Sequence, residues 1–254
     1  MVHYAGVACD MDRIMNIANK HNLFVVEDAA QAVDSYYKGK PLGGIGHLAA
    51  FSFHETKNIS SGEGGMLVVN DHQFAERSEI IWEKGTNRAA FFKGEVDKYN
   101  WVDIGSSYLP SEITAAFLWA QLEGLEDIQA KRKSIYNSYL QLLKPLEEKR
   151  LLKLPRIPNY ATNNGHMFYI LCKTNEQRES LICHLKQNDI LAVFHYLPLH
   201  KSPFYSDKHL GAIPRCDDYA DHIVRLPFYF DLLDSEIEYI VSKIKLFFST
   251  ESSL

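Results

Sequence analysis

The chain alternates short apolar runs with stretches of helical period. Asp10 stands where an N-cap would, ahead of Ile14, Ile17 and Ala18 at helical spacing. "LFVVED" (23–28) then packs its apolar residues together and ends in two acids, as a buried parallel strand does. After the turn-rich "YKGKPLGGIG" (37–46) come two more apolar runs, "HLAAFSF" (47–53) and "GGMLVVN" (64–70). A helix is predicted from Asp71 toward Lys84, with Phe74, Ile80 and Ile81 inward. Short buried strands joined in this way predict an α/β sheet.

Residues 85–110 have no clear period but hold Phe91, Phe92, Tyr99, Trp101 and Tyr108. Long irregular stretches in compact proteins are often functional or lie at interfaces. From Ser111 to about Leu143 the pattern is helical again, with Ile113, Ala116, Leu118, Ala120, Leu122 and Leu125 forming an apolar face. Pro145 and Pro155 mark its exit. A domain boundary is therefore placed at the start of this helix, giving 1–110 and 111–254. The remainder reads as strand "MFYILC" (167–172), helix 176–188, strand "ILAVFHY" (190–196), helix 217–224 and a last helix from Asp234 to Phe248. That is a small α+β domain. There is no internal repeat and no low-complexity segment.

Composition narrows the function classes. The 254 residues are 46% hydrophobic, enough for a sizeable core. Lysine and arginine (27) and acids (32) are mixed along the chain, with a net charge of -5 and no basic stripe, which argues against a nucleic-acid partner. Cys9, Cys172, Cys183 and Cys216 are scattered without a CxxC pair, the usage of a reducing compartment. The N-terminus lacks a signal-peptide pattern, and no window reaches the ~18 apolar residues of a membrane span. The expected location is the cytoplasm, with no membrane partner.

Two motifs carry candidate chemistry. In "VVEDAAQA" (25–32), Asp28 sits where a strand ends, so its carboxylate can reach a ligand cleft at the carboxyl edge of the sheet. Its competing role is capping a following helix. Lys57 follows the run 47–53, so a second strand could end at the same edge. A lone lysine is usually a solvated charge. It becomes a nucleophile toward an aldehyde when partly desolvated or near another cation. Here Ser52 and Ser60 can donate to phosphate oxygens, and Gly62, Gly64 and Gly65 let backbone approach a ligand closely. An acid for a ring nitrogen and a lysine for an aldehyde are the two protein groups pyridoxal phosphate chemistry most needs. A zinc site at His195 and His200 is set aside, because Pro198 prevents a regular helix between them and no acidic third ligand is near. ATP and dinucleotide readings lack their motifs.

"VVEDAAQA", "FSFHETKN" and "GEGG", in this order and separation, resemble the core of the DegT/DnrJ/EryC1/StrS sugar aminotransferases. "VHYAG", "EKGTNR", "DIGSSYL", "NGHMFYI", "VFHYLPLH" and "RLPFY" extend the resemblance over essentially the whole chain. They are most similar to members that convert dTDP-4-keto-6-deoxyglucose to dTDP-4-amino-4,6-dideoxygalactose (TDP-fucosamine), with glutamate as donor. The resemblance implies the fold type I of PLP-dependent transferases, with a large PLP-binding domain and a small C-terminal domain. It also implies pyridoxal 5'-phosphate as cofactor and a cytoplasmic homodimer with shared active sites. The pathway implied is surface polysaccharide biosynthesis, with enterobacterial common antigen and lipopolysaccharide as examples.

Residue by residue, the resemblance implies that Lys57 is the catalytic lysine holding the cofactor and that Asp28 partners the pyridine nitrogen. Ala30 would pack on the ring, Gln31 would bond the ring hydroxyl and Ser52 would hold the phosphate. Ser107 stands where many members have an Asn that reaches across a dimer to the neighbour's phosphate. His166, His195 and Tyr196 would face the sugar. Related sugar dehydratases carry His at the lysine position, so Lys57 argues against that activity. Members have a long segment ahead of the "VHYAG" match, and this chain starts one residue before it. The expectation is therefore an incomplete large-domain sheet, and the alternative is a truncated, inactive remnant that does not hold the cofactor.

Overall fold

The computed structural model describes residues 1–208, 211 and 213–251. Its contacts divide into two compact units. The first is Met1–Gln129 with Ile157–His166, and the second is Ala130–Arg156 with Met167 onward. The division falls within a helix, nineteen residues beyond the boundary expected after residue 110.

The first unit opens with α1 (Met11–His21), where the Asp10 carboxylate accepts from the Arg13 N–H and Asn22 closes the helix in the left-handed region (φ 52°). Met11, Ile14, Met15 and Ala18 form its core stripe at i, i+3, i+4 and i+7, packing with Val25, Ala29, Ala32 and Leu42. Ile17, expected inward, falls outside that stripe and is 57% exposed. There follow β1 (Val26–Asp28), β2 (Tyr36–Tyr37), β3 (Lys40–Pro41), β4 (Leu48–Ser52) and β5 (Gly65–Val69). The hairpin β2–β3 accounts for the turn-rich segment. The main sheet has the order β1-β4-β5, with β1 and β4 parallel and β5 antiparallel to β4. A 3₁₀ turn, α2 (Ala75–Trp82), α3 (Arg88–Phe92), α4 (Glu112–Glu123) and the start of α5 (Leu125–Glu148) complete the unit.

The helix expected from Ser111 is thus two helices parted at Gly124, and the second runs through Pro145 rather than ending there. Pro145 lies in the last turn of α5, where it has no N–H to donate to the carbonyl one turn back. α4 is apolar on every side yet poorly covered, with Ile113 83% and Trp119 64% exposed. A helix of that composition is normally buried.

The second unit takes the rest of α5 and adds β6 (Tyr169–Leu171), α6 (Asn175–Lys186), α7 (Pro214–His222), β7 (Ile223–Arg225) and α8 (Asp234–Glu251). Its core centres on Phe168, which is fully buried with its ring centroid 5.0 Å from those of Tyr136 and Tyr139. Residues 190–196 do not form the expected strand. Only Val193 bridges to Arg225, because β7 lies antiparallel along β6 and is the partner that the expected helix 217–224 had concealed. Thr174 caps α6 by accepting from the Gln177 N–H. Thr174→Ala should therefore lower stability by about 1 kcal/mol, read as an earlier urea midpoint with an unchanged m-value. Among the described residues no helix is long and apolar enough to cross a membrane.

Candidate functional site

Because β1 and β4 run parallel, their carboxyl ends meet one edge of the sheet. Asp28 pairs with Ala50, and Ser52 lies two residues further along β4. Strand alternation separates the two acids of "VED". Glu27 points inward and is fully buried, while Asp28 is exposed. No helix follows Asp28. Its Oδ1 accepts from the Ala30 N–H at 3.1 Å in an Asx turn, so the capping role is excluded.

Glu27 is the electrostatic hub below that edge. One carboxylate oxygen accepts from His3 Nε2 (2.9 Å) and Gly43 N–H (2.9 Å), the other from Ile45 N–H (2.8 Å) and Gly46 N–H. The Cys9 N–H donates to His3 Nδ1 at 3.2 Å, which leaves Nε2 as the ring's donor to Glu27. Burial alone would raise the Glu27 pKa, but the donations from His3, Gly46, Gly43 and Ile45 reverse that and hold it at about 2. Nothing in the sequence had singled out Glu27 or His3.

Past Ser52 the chain turns sharply. Lys57 donates its backbone N–H to His54 O at 2.9 Å, and the Ser61 N–H returns to Phe53 O at 2.8 Å. Gly62, at φ 80°, takes a conformation that side chains resist, and its N–H donates to Ser60 Oγ at 2.9 Å. Lys57 is half-buried, and its ammonium has no hydrogen bond or ion pair among the described residues. Ser52 Oγ accepts from the His54 N–H at 3.3 Å, keeping its own proton available to donate. Gln31 Oε1 accepts from the Ala5 N–H at 2.6 Å, so its amide NH₂ remains a donor, and Ala30 is half-buried beside it. Beyond the turn, a cavity of about 450 Å³ is lined by Phe53, Ser61, Gly64, Tyr108, Thr114 and Trp119 among others.

Ser107 is exposed and bridges to Glu83 through its backbone. His166 is buried at 4% exposure, with Nδ1 2.8 Å from Asn58 Oδ1. His195 and Tyr196 belong to the second unit. The His195 ring lies 3.4 Å from an Arg225 guanidinium nitrogen and against the Tyr196 ring, and Tyr196 is 67% exposed.

A strand-end acid and serine at one sheet edge, followed by a half-buried lysine in a glycine-containing turn, give an α/β protein with a candidate ligand site at the carboxyl ends of its strands. The comparisons give that class a family. The DegT/DnrJ/EryC1/StrS aminotransferase family model matches residues 1–245, and the chain belongs to this family. It is 33% identical to GDP-perosamine synthase of Escherichia coli O157:H7 over 98% of this chain, and 29% identical to the spore coat polysaccharide biosynthesis protein SpsC of Bacillus subtilis over 96%. It spans 65% and 64% of their respective lengths. Among solved structures, DesV of S. venezuelae, determined in complex with a ketimine intermediate, matches with TM-score 0.84 and 30% identity, covering 96% of this chain and 63% of that one. The fold is that of PLP-dependent aminotransferases of this family, in a mixed α/β form with partial sheets.

Proposed function

We propose that this protein is a pyridoxal phosphate-dependent aminotransferase acting on a nucleotide-linked 4-keto-6-deoxy sugar in surface polysaccharide biosynthesis. The observation that carries the proposal is the shared sheet edge. Parallel β1 and β4 bring Asp28 and Ser52 to one side, and the turn that follows presents a lysine whose ammonium no described group pairs.

These residues fit the cofactor's chemistry. The exposed Asp28 carboxylate would keep the pyridine nitrogen protonated, Gln31 would offer its free NH₂ to the ring oxygen, Ser52 would offer its hydroxyl to the phosphate, and Ala30 would pack against the ring. When bound, pyridoxal phosphate supplies an electron-withdrawing ring beside the donor's Cα. Lys57 would hold the cofactor through its side-chain amine and, when that amine is free, would take up and return the donor's Cα proton as a general base and acid. His195 and Tyr196 are assigned to the sugar on the resemblance alone. The dimer proposal, in which Ser107 serves a neighbouring site, is supported by the exposed faces of α4 and of residues such as Phe92, Trp101 and Ile104.

For the sugar nucleotide, the motifs favour dTDP-4-keto-6-deoxyglucose giving dTDP-4-amino-4,6-dideoxygalactose, with glutamate as donor. The 33% identity to GDP-perosamine synthase favours a GDP-linked ketosugar as the second reading. The test is to titrate the chain with pyridoxal phosphate, watch for a visible absorbance band removed by borohydride, and then offer glutamate with each ketosugar nucleotide. A band followed by amination of the dTDP sugar is the expected result. Amination of the GDP sugar alone would move the assignment to the second reading. The absence of any band would overturn the proposal in favour of a remnant that holds no cofactor.

A further inference from the structure

Immediately after Lys57 the chain enters a buried polar cluster. Asn58, Gln129, Asn164 and His166 are 7%, 3%, 0% and 4% exposed, and all lie in the first unit. Asn58 Nδ2 donates to Gln129 Oε1 (2.8 Å) and to the backbone carbonyl of Asn164 (2.9 Å). A carbonyl only accepts, so this contact fixes the Asn58 amide with its Oδ1 toward His166. His166 Nδ1, 2.8 Å away, is therefore the protonated ring nitrogen and donates to it. Gln129 Nε2 closes the circuit by donating to Asn164 O and Asp34 Oδ2, both at 3.2 Å.

Asn164 carries the circuit to the acid motif. Its Nδ2 donates to the backbone carbonyls of Gln31 and Val33, both at 2.8 Å, and its Oδ1 accepts from the His166 N–H at 3.1 Å. Gly6, at φ 73°, makes room for it, since a Cβ there would lie 2.1 Å from Asn164 Oδ1. One network thus fastens residue 58, next to the lysine, to the segment that continues from Asp28 through Gln31. A well-packed apolar cluster would stabilise the fold as well. What directional bonds add is a single geometry.

We propose that Asn58, Gln129, Asn164 and His166 are positioning residues that lock the Lys57 turn against the Asp28–Gln31 segment, so that the lysine amine is presented in one orientation. This rests on the reading that Lys57 binds the aldehyde of pyridoxal phosphate. It moves His166 from the sugar to the support of the lysine, acting through Asn58.

The test compares His166→Asn with His166→Gln. Asparagine places an amide nitrogen where imidazole has Nδ1, and glutamine places it near Nε2, so only the first keeps the bond to Asn58. The readout is the rate of borohydride-fixed pyridoxyl labelling at Lys57 relative to the exposed Lys20, resolved by peptide mass. Wild type and His166→Asn should label Lys57 preferentially, and His166→Gln should lose about 10- to 100-fold of that preference. Amide hydrogen exchange over residues 54–61 should rise in the glutamine variant only.

If wild type shows no preference for Lys57, the functional reading falls and the positioning role falls with it. If wild type is selective and a folded His166→Gln is equally selective, the positioning role alone is overturned. Should His166→Gln not fold, Asn58→Ser decides by the same ratio, because it removes the amide NH₂ that donates to both Gln129 and Asn164.

Discussion

Lys57→Ala should fold like wild type and lose transamination by at least ~10²–10⁴-fold, the usual worth of a positioned proton-transfer group. Lys57 is half-buried and its ammonium has no hydrogen bond or ion pair among the described residues, so its removal breaks no polar contact. The backbone bond to His54 that shapes the turn does not depend on the side chain. The borohydride-fixed mass at position 57 should vanish in parallel. Lys57→Arg sharpens the result, because arginine keeps the positive charge but stays protonated and cannot act as a nucleophile or accept a proton. The arginine variant is expected to fail as completely as alanine. Wild-type turnover by either variant would remove Lys57 from the chemistry, and an active arginine variant beside an inactive alanine one would reduce its role to charge.

The strand ends and the turn that carries Lys57 were legible because strand ends and glycine turns are written locally. "LFVVED" ends in two acids and "HLAAFSF" carries Ser52 next to its end, and within them β1 and β4 finish at Asp28 and Ser52, at one edge. The network behind the lysine was not legible. Asn58 meets Gln129 and Asn164 across 71 and 106 residues, separations that no local pattern encodes. The only hints were its place beside Lys57 and the asparagines just ahead of His166. The strand expected at 190–196 failed for a related reason. Its apolar run is real, but strand identity depends on a partner, and the partner of β6 proved to be β7, hidden inside an apparent helix. Glu27 escaped notice because one strand step separates an acid facing solvent from one facing inward. Only the pairing of β1 decides which is which.

That step makes Glu27 the second residue whose loss should be severe. Glu27→Ala leaves the His3 Nε2–H and the N–H groups of Gly43, Ile45 and Gly46 without their acceptor in a buried place. Stranding partners of a buried charge in this way costs ~3–5 kcal/mol, which should appear as a large drop in the urea midpoint at neutral pH. The pH dependence gives an independent sign. The Glu27 pKa is held at about 2 in the fold against an ordinary 4.5, so the folded state binds this proton more weakly than the unfolded chain does. The stability it contributes, roughly 3 kcal/mol, is therefore fully present above pH 4.5 and is lost as pH falls from there toward about 2. Unfolding titrations between these limits should show wild type losing stability steeply and Glu27→Ala losing less. Equal slopes would mean that the carboxylate does not hold His3 and the Gly43–Gly46 loop as the hydrogen bonds indicate. Since Asp28 is the next residue on the same strand, loosening Glu27 should also weaken the pyridoxal phosphate absorbance band before the chain unfolds, tying the stability of β1 to the geometry of the site.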